Sequence, residues 1–210
     1  MTQPLATVFI VDDDPSIQKG LASLIRSVGL RAEALGSADE FLQAQRPETP
    51  SCLVLDVRLP GMSGLEFQKE LAKAKIQIPI IFITAHGDIP MSVRAMKNGA
   101  VEFLPKPFRD QDLLDAVHAA LERDRERKQD ERDVAELRKR FESLTTREQE
   151  LFRLVLSGRP NKQIAAEIGT SENTVKVHRS NMMRKMRADS VVELVSMARR
   201  LGISAPDAKL

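Results

Sequence analysis

Four short stretches hold the reactive groups in the first half of this sequence. Asp12 and Asp13 follow the apolar run Val8–Val11, Asp56 follows Cys52–Leu55, Thr84 follows Ile80–Ile83, and Lys106 follows the run from Val101 to Leu104. Runs of this length and composition suit strands buried on both faces. If the strands lie side by side and parallel, three carboxylates, a hydroxyl and an ammonium meet at one sheet edge, where open parallel sheets bind ligands. Clustered carboxylates repel one another and call for a divalent cation. Hard oxygen ligands favour Mg²⁺, which keeps waters and prefers a phosphate among its ligands. An aspartate beside that ion can attack phosphorus and hold an acyl phosphate. Lys106 can neutralise phosphate oxygens, and Thr84 can donate a hydrogen bond to one.

A second group is basic. From Lys176 to Arg187 the sequence holds five Lys or Arg and no acid. The stretch reads as a helix, and a helix fits the major groove of B-DNA. A shorter helix precedes it across a tight turn at Gly169-Thr170, which together predict a helix-turn-helix. Val175, Met182 and Met186 belong to its inner face. Lys176, Val177 and Ser180 share the outer one, with Arg179 beside them.

The elements that must position these groups are legible in outline. Asp14-Pro15 opens a helix with proline at its first position, and Gly29 ends it. A weaker strand spans Arg31 to Leu35. Ser37 with Glu40 predicts a capping box. Val93, Met96 and Lys97 belong to a helix stopped by Gly99. Five β-α units in this order imply a parallel sheet covered by helices on both faces. The stretch Glu122 to Asp133 has no large apolar residue, no glycine and no proline, so it is expected to be a solvated helix with i,i+4 ion pairs. Val134, Leu137, Phe141 and Leu144 then form a short heptad-like seam, which either packs on its own domain or pairs two chains. Beyond it the pattern is all helical. Thr145 to Glu148 opens a helix closed by Gly158, Asn161 is expected to cap a short one ending at Gly169, Ser171 caps the basic helix, and a last helix carries Val191, Leu194, Val195 and Ala198 up to Gly202. Residues 1–121, 122–142, 143–204 and 205–210 are thus expected to be an α/β domain, a charged helical linker, an all-α domain and a disordered tail.

Composition narrows the class. The chain has 210 residues, 42% hydrophobic and 30% charged, with no apolar run near the roughly 20 residues a membrane span needs. No secretory leader is expected, because the first apolar stretch runs straight into three aspartates, and a cytoplasmic protein follows. The single cysteine, Cys52, excludes an internal disulfide and reads as a buried structural thiol. The net charge of +2 hides a net of −3 over residues 1–121 and +5 over residues 143–210, which places any polyanion at the C-terminal end.

In the first half, the motifs Val11–Asp14, Leu55–Gly64, Ile83-Thr84-Ala85 and Lys106-Pro107-Phe108 resemble, in order and spacing, the receiver domains of two-component response regulators. In the second, Leu144–Glu148, Asn161–Ala165 and Thr174–His178 resemble LuxR-type helix-turn-helix domains. The run His86–Lys97 is similar to the FixJ subgroup. The resemblance implies a CheY-like, flavodoxin-like five-stranded receiver, a long linker helix and a four-helix output domain. It implies that Asp56 accepts a phosphoryl group from a sensor histidine kinase, and that Mg²⁺ is held by Asp13, Asp56 and the backbone carbonyl of Arg58, with Asp12 acting through a water. Thr84 and Phe103 would be the switch pair, Lys106 the phosphate partner, and Lys106-Pro107 a cis bond. Lys176, Val177 and Ser180 would approach base edges of double-stranded DNA, and Lys162, Thr174, His178, Arg179 and Lys185 would contact phosphates. A homodimer formed through the fourth helix and fifth strand would recruit RNA polymerase, with activation the expected sign.

Three rivals are weaker. An aspartate-nucleophile phosphohydrolase usually has a second aspartate two positions after the nucleophile, where this chain has Arg58. A phosphorylation-independent DNA-binding protein would not need all five residues of the acidic edge. RNA recognition lacks its aromatic stacking residues in the basic segment.

Overall fold

The structure is a computed structural model that describes residues 5–85 and 88–204. The expected tail at 205–210 lies outside the described residues, as do His86 and Gly87 of the His86–Lys97 run. The chain divides into two compact units, Met1–Lys128 and Gln129–Leu210.

In the first unit five parallel strands stand in the order β2-β1-β3-β4-β5. They are β1 (Thr7–Val11), β2 (Arg31–Leu35), β3 (Ser51–Asp56), β4 (Ile80–Thr84) and β5 (Glu102–Pro105). Between them run α1 (Pro15–Ser27), α2 (Ala38–Gln43), α3 (Gly64–Lys73) and α4 (Ile89–Lys97), and α5 (Asp110–Glu142) follows β5. Strand alternation divides the core in two. Val8, Ile10, Val54, Ile81 and Ile83 pack with Ile25 of α1 and Leu113 and Val117 of α5. Phe9, Val11, Leu53, Leu55 and Phe82 pack with Phe41, Phe67 and Ala95 of α2, α3 and α4. Consecutive edge-to-face contacts join Phe9 to Phe41 at 5.3 Å and Phe41 to Phe67 at 5.8 Å between ring centroids. This is the doubly wound fold that the resemblance implies, and the order of strands reverses between β1 and β3, where such sheets open a crevice. Cys52 is fully buried, and burial pushes its thiol well up from the usual range.

Two local expectations need correction. Ser37 caps α2 by accepting the Glu40 amide, but the Glu40 carboxylate accepts the amide of Gly36 rather than that of Ser37, so the capping box is only half formed. The charged stretch after Leu121 is helical, as expected, but it is not simply solvated. Asp124 is completely buried. It accepts the Ser51 amide at 2.8 Å and pairs with Arg127 at 2.7 Å and Lys128 at 3.1 Å. The Lys128 ammonium also donates to the carbonyls of Pro47 and Thr49, at 3.1 and 2.6 Å. The charge density that predicts exposure instead supplies a clamp over the start of β3.

In the second unit α6 (Thr146–Leu156), α7 (Asn161–Ile168), α8 (Glu172–Met186) and α9 (Val191–Leu201) enclose a core of Leu151, Phe152, Val155, Ile164, Val175, Met182, Met186 and Leu194. The seam packs on this unit: Leu137 and Leu144 are buried, and Phe141 meets Phe152 edge to face at 5.1 Å. Thr145 and Glu148 form a full capping box at the start of α6. Asn161 does not cap α7. Pro160 holds the cap position without a side-chain bond, and Asn161, one residue inside, accepts from the Arg179 guanidinium at 2.9 Å instead. Gly169 then turns the chain at φ 69°, a left-handed conformation that favours glycine.

Candidate functional site

Strand ends bring the acidic residues together. One oxygen each of Asp12, Asp13 and Asp56 lies within 4.8 Å of the others. Asp12 and Asp56 are buried and Asp13 is exposed. Lys106 follows β5 through a cis Lys106-Pro107 bond, and its own amide is fixed by the Thr84 carbonyl at 2.7 Å. Its ammonium lies 2.8 Å from Asp12 and 3.8 Å from Asp56. Both Asp12 oxygens are engaged, one by Lys106 and the other by the Asp14 amide at 2.9 Å. Burial raises the Asp56 carboxyl above the ordinary carboxylate range. The charge of Asp12 acts in the same direction, and Lys106 and the amides of Arg58 and Val57 act against it. A divalent cation suits this donor set: three hard carboxylates face one point, with one cation nearby to answer them.

Thr84 is fully buried at the end of β4. Phe103 is half-buried on β5, in register with Phe82, the two rings 6.2 Å apart and tilted by 45°. Arg58 is exposed in the loop after β3.

Two further residues at this edge carry no reactive group. Gln18, on α1, donates from its amide nitrogen to the carbonyls of Asp12 at 2.6 Å and Leu35 at 3.1 Å. Gly64 begins α3 so close to β3 that a Cβ there would stand 2.4 Å from the Asp56 carbonyl oxygen and 3.1 Å from Val57 Cα. The signal available for Gly64 is its place in the Pro60–Gly64 loop beside Asp56. Nothing in the local pattern marks Gln18, because its partners lie 6 and 17 positions away.

The basic residues sit on or near α8. Ser171 caps it by accepting the Thr174 amide at 3.1 Å. Val175, Met182 and Met186 are buried, as the pattern predicts. Lys176, Val177 and Ser180 are exposed, Val177 to 54%, a large value for an apolar side chain. Lys162 is exposed on α7, and Thr174, His178 and Arg179 are half-buried. Lys176 pairs with Glu172 at 3.3 Å on the open surface. Lys185 turns the other way. Its ammonium meets the buried Glu148 carboxylate at 2.6 Å, so that charge is largely answered inside the unit.

Comparison with known proteins agrees with this geometry. Residues 8–118 match the response regulator receiver domain, and residues 142–198 match bacterial regulatory proteins, luxR family. Nodulation protein W of Bradyrhizobium diazoefficiens is 60% identical over 200 residues, covering 95% of this chain and 88% of that protein. The transcriptional regulatory protein FixJ of Rhizobium meliloti is 42% identical over 192 residues, covering 91% and 94%. Among solved structures, the response regulator StyR is similar with a TM-score of 0.81 at 51% identity, over 94% of this chain and all of that one. Full-length FixJ from B. japonicum follows with a TM-score of 0.55 at 37% identity, over 93% and 97%.

Proposed function

The chain belongs to the FixJ-like response regulators, transcription regulators that join a receiver to a LuxR-type DNA-binding domain, and from that membership we propose a phosphorylation-switched regulator with Asp56 as acceptor. An Asp56 oxygen forms a bond to phosphorus as the bond from phosphorus to a kinase histidine nitrogen breaks, and the electron pair stays on that nitrogen. Asp13, Asp56 and the Arg58 carbonyl would hold Mg²⁺ directly, and Asp12 would act on it through a water. A divalent ion bound there would supply charge neutralisation for the phosphoryl oxygens. Lys106 answers a further oxygen, and Thr84 donates to another while Phe103 follows it inward. The observation that carries this reading is the meeting of Asp12, Asp13 and Asp56 with the Lys106 ammonium at one strand edge.

The proposed output is DNA binding by α8. Lys176, Val177 and Ser180 read bases, and Lys162, Thr174, His178, Arg179 and Lys185 lie against phosphates, Lys185 least of all because Glu148 already holds it. Dimerisation uses α4 and β5. Its support is an unusually apolar surface on α4, where Ile89, Val93 and Met96 are 80%, 45% and 43% exposed at helical spacing. Pairing two half-site contacts raises apparent affinity through effective concentration. The bound dimer activates transcription by recruiting RNA polymerase in the cytoplasm. No helix among the described residues is long and apolar enough to cross a membrane.

Sedimentation with Mg²⁺ and beryllofluoride, alongside DNA titrations, tests the proposal. The expected result is a monomer-to-dimer shift and tighter DNA binding, both lost in Asp56→Ala. Equal mass and equal DNA affinity in the two proteins would overturn it in favour of a receiver without a switching role.

A further inference from the structure

The geometry points to Gln18 as a positioning residue for the cation site, acting through the backbone that carries Asp13; this inference rests on the cation reading of the acidic edge. The three carboxylates are not equally held. Asp12 is fixed by Lys106 and the Asp14 amide. Asp56 is buried at the end of β3 and has the Lys106 ammonium at 3.8 Å. Asp13 is exposed, and among the described residues its carboxylate has no hydrogen-bond partner. Its place therefore depends on the main chain beneath it.

That main chain has left the sheet. The β1–β2 ladder ends at the pair Val11 and Leu35, and the next contact, from the Asp12 amide to the Leu35 carbonyl, is long at 3.4 Å. The Asp12 and Leu35 carbonyls are the two acceptors at this end of the ladder. Gln18 supplies both with one NH₂ group, which has two hydrogens to give. The bond to Asp12 is short, 2.6 Å, and the oxygen it holds belongs to the peptide joining Asp12 to Asp13. Fixing that oxygen fixes the peptide plane and with it the direction in which Asp13 leaves the chain. Gln18 itself is anchored in the first turn of α1, where its amide bonds to the Asp14 carbonyl at 3.1 Å. One side chain thus ties α1, β1 and β2 together beneath the least supported carboxylate.

The test is Mn²⁺ affinity, read from the paramagnetic resonance of the free ion, in the full chain without phosphoryl donor. Gln18→Met keeps the length and removes both donors. Gln18→Glu keeps the shape, replaces the donors by acceptors, and adds a negative charge that by its field alone would strengthen cation binding. Both variants are expected to bind Mn²⁺ about tenfold more weakly than the wild-type chain, the usual scale for groups that orient ligands. In an Asp13→Asn background neither should weaken binding further, because the effect passes through Asp13. Circular dichroism checks that each variant is folded, and Gln18→Glu serves if Gln18→Met is not. Wild-type affinity in either folded variant would overturn the inference, as would an equal loss with and without the Asp13 carboxylate. If the wild-type chain fails to bind Mn²⁺, or Asp13→Asn binds it unchanged, the cation reading itself falls and takes this inference with it.

Discussion

Lys185 reaches back from the basic helix to Glu148, 37 positions earlier, and closes on its buried carboxylate at 2.6 Å. The same carboxylate caps α6 by accepting the Thr145 amide at 2.8 Å. One side chain therefore joins the start of α6 to the end of α8. Burial alone would raise the Glu148 carboxyl, but hydrogen bonds from Lys185 and Thr145 outweigh it and hold the group below its ordinary value of 4.5. A carboxyl depressed in the folded state stabilises that state fully above its unfolded value and loses the contribution as pH falls through the folded one. The DNA-binding unit is thus expected to weaken as pH falls below about 4.5. Thermal melts from pH 7 to pH 3 check this. Glu148→Gln should be less stable at pH 7, by about 1–3 kcal/mol, and flatter in its acid dependence.

Gly64→Ala should disturb Asp56, the proposed phospho-acceptor, without touching its carboxylate. The added methyl meets backbone rather than a flexible side chain, at the Asp56 carbonyl and Val57 Cα, so the chain after β3 must move. A loss of about 1–3 kcal/mol in stability and slower phosphoryl uptake from a small-molecule donor are expected, measured by denaturant titration and by phosphoprotein gel.

The proposed DNA contacts should separate by salt. Lys162→Ala should weaken binding to specific and random duplexes alike and reduce the slope of log affinity against log salt by roughly one. Val177→Ala and Ser180→Ala should leave that slope unchanged and alter the ranking of sites, with base discrimination falling by about 1–3 kcal/mol at the contacted pair. Equal losses on all sequences for Val177→Ala would remove it from base readout.

Gln68 joins α3 to the end of α4. Its nitrogen donates to the carbonyls of Ala95 and Asn98, at 3.3 and 3.2 Å, and its buried oxygen has no partner. Gln68→Met removes two long bonds and one unsatisfied acceptor together, so stability should change by no more than about 1 kcal/mol. Hydrogen exchange at the amides of residues 95–100 should nevertheless quicken.

Asp124→Ala should be far more damaging. It strips the partner from the buried Ser51 amide and leaves Arg127 and Lys128 with charge near a dry surface. Breaking such a pair costs about 3–5 kcal/mol, which urea unfolding of the receiver would register.

The two sites were legible for different reasons. Asp12, Asp56 and Thr84 each close a short apolar run and Lys106 follows the last strand, so the strand pattern places them at one edge. The burial of Val175, Met182 and Met186 follows from helical spacing, and so does the exposure of Lys176 and Val177. What local pattern does not carry is the pairing of charges across the chain. Asp124 and Lys185 look like solvent-facing members of charged helices, and the burial of the one and the inward pairing of the other depend on Ser51 and Glu148, 73 and 37 positions away. Asn161 is a good capping residue by type, but Pro160 occupies the cap position and Arg179 takes the side chain.

The clamp around Asp124 also says where nature or an engineer can recombine this protein. Apolar packing of the receiver ends at Leu121, and a splice there would look clean by composition. It would discard Asp124 and Lys128, leaving the Ser51 amide and the carbonyls of Pro47 and Thr49 without the groups that satisfy them. A splice after Lys128 keeps every one of those bonds inside the receiver. The natural joint for exchanging outputs is therefore in the middle of an unbroken helix, where a graft must preserve helical phase, not merely length.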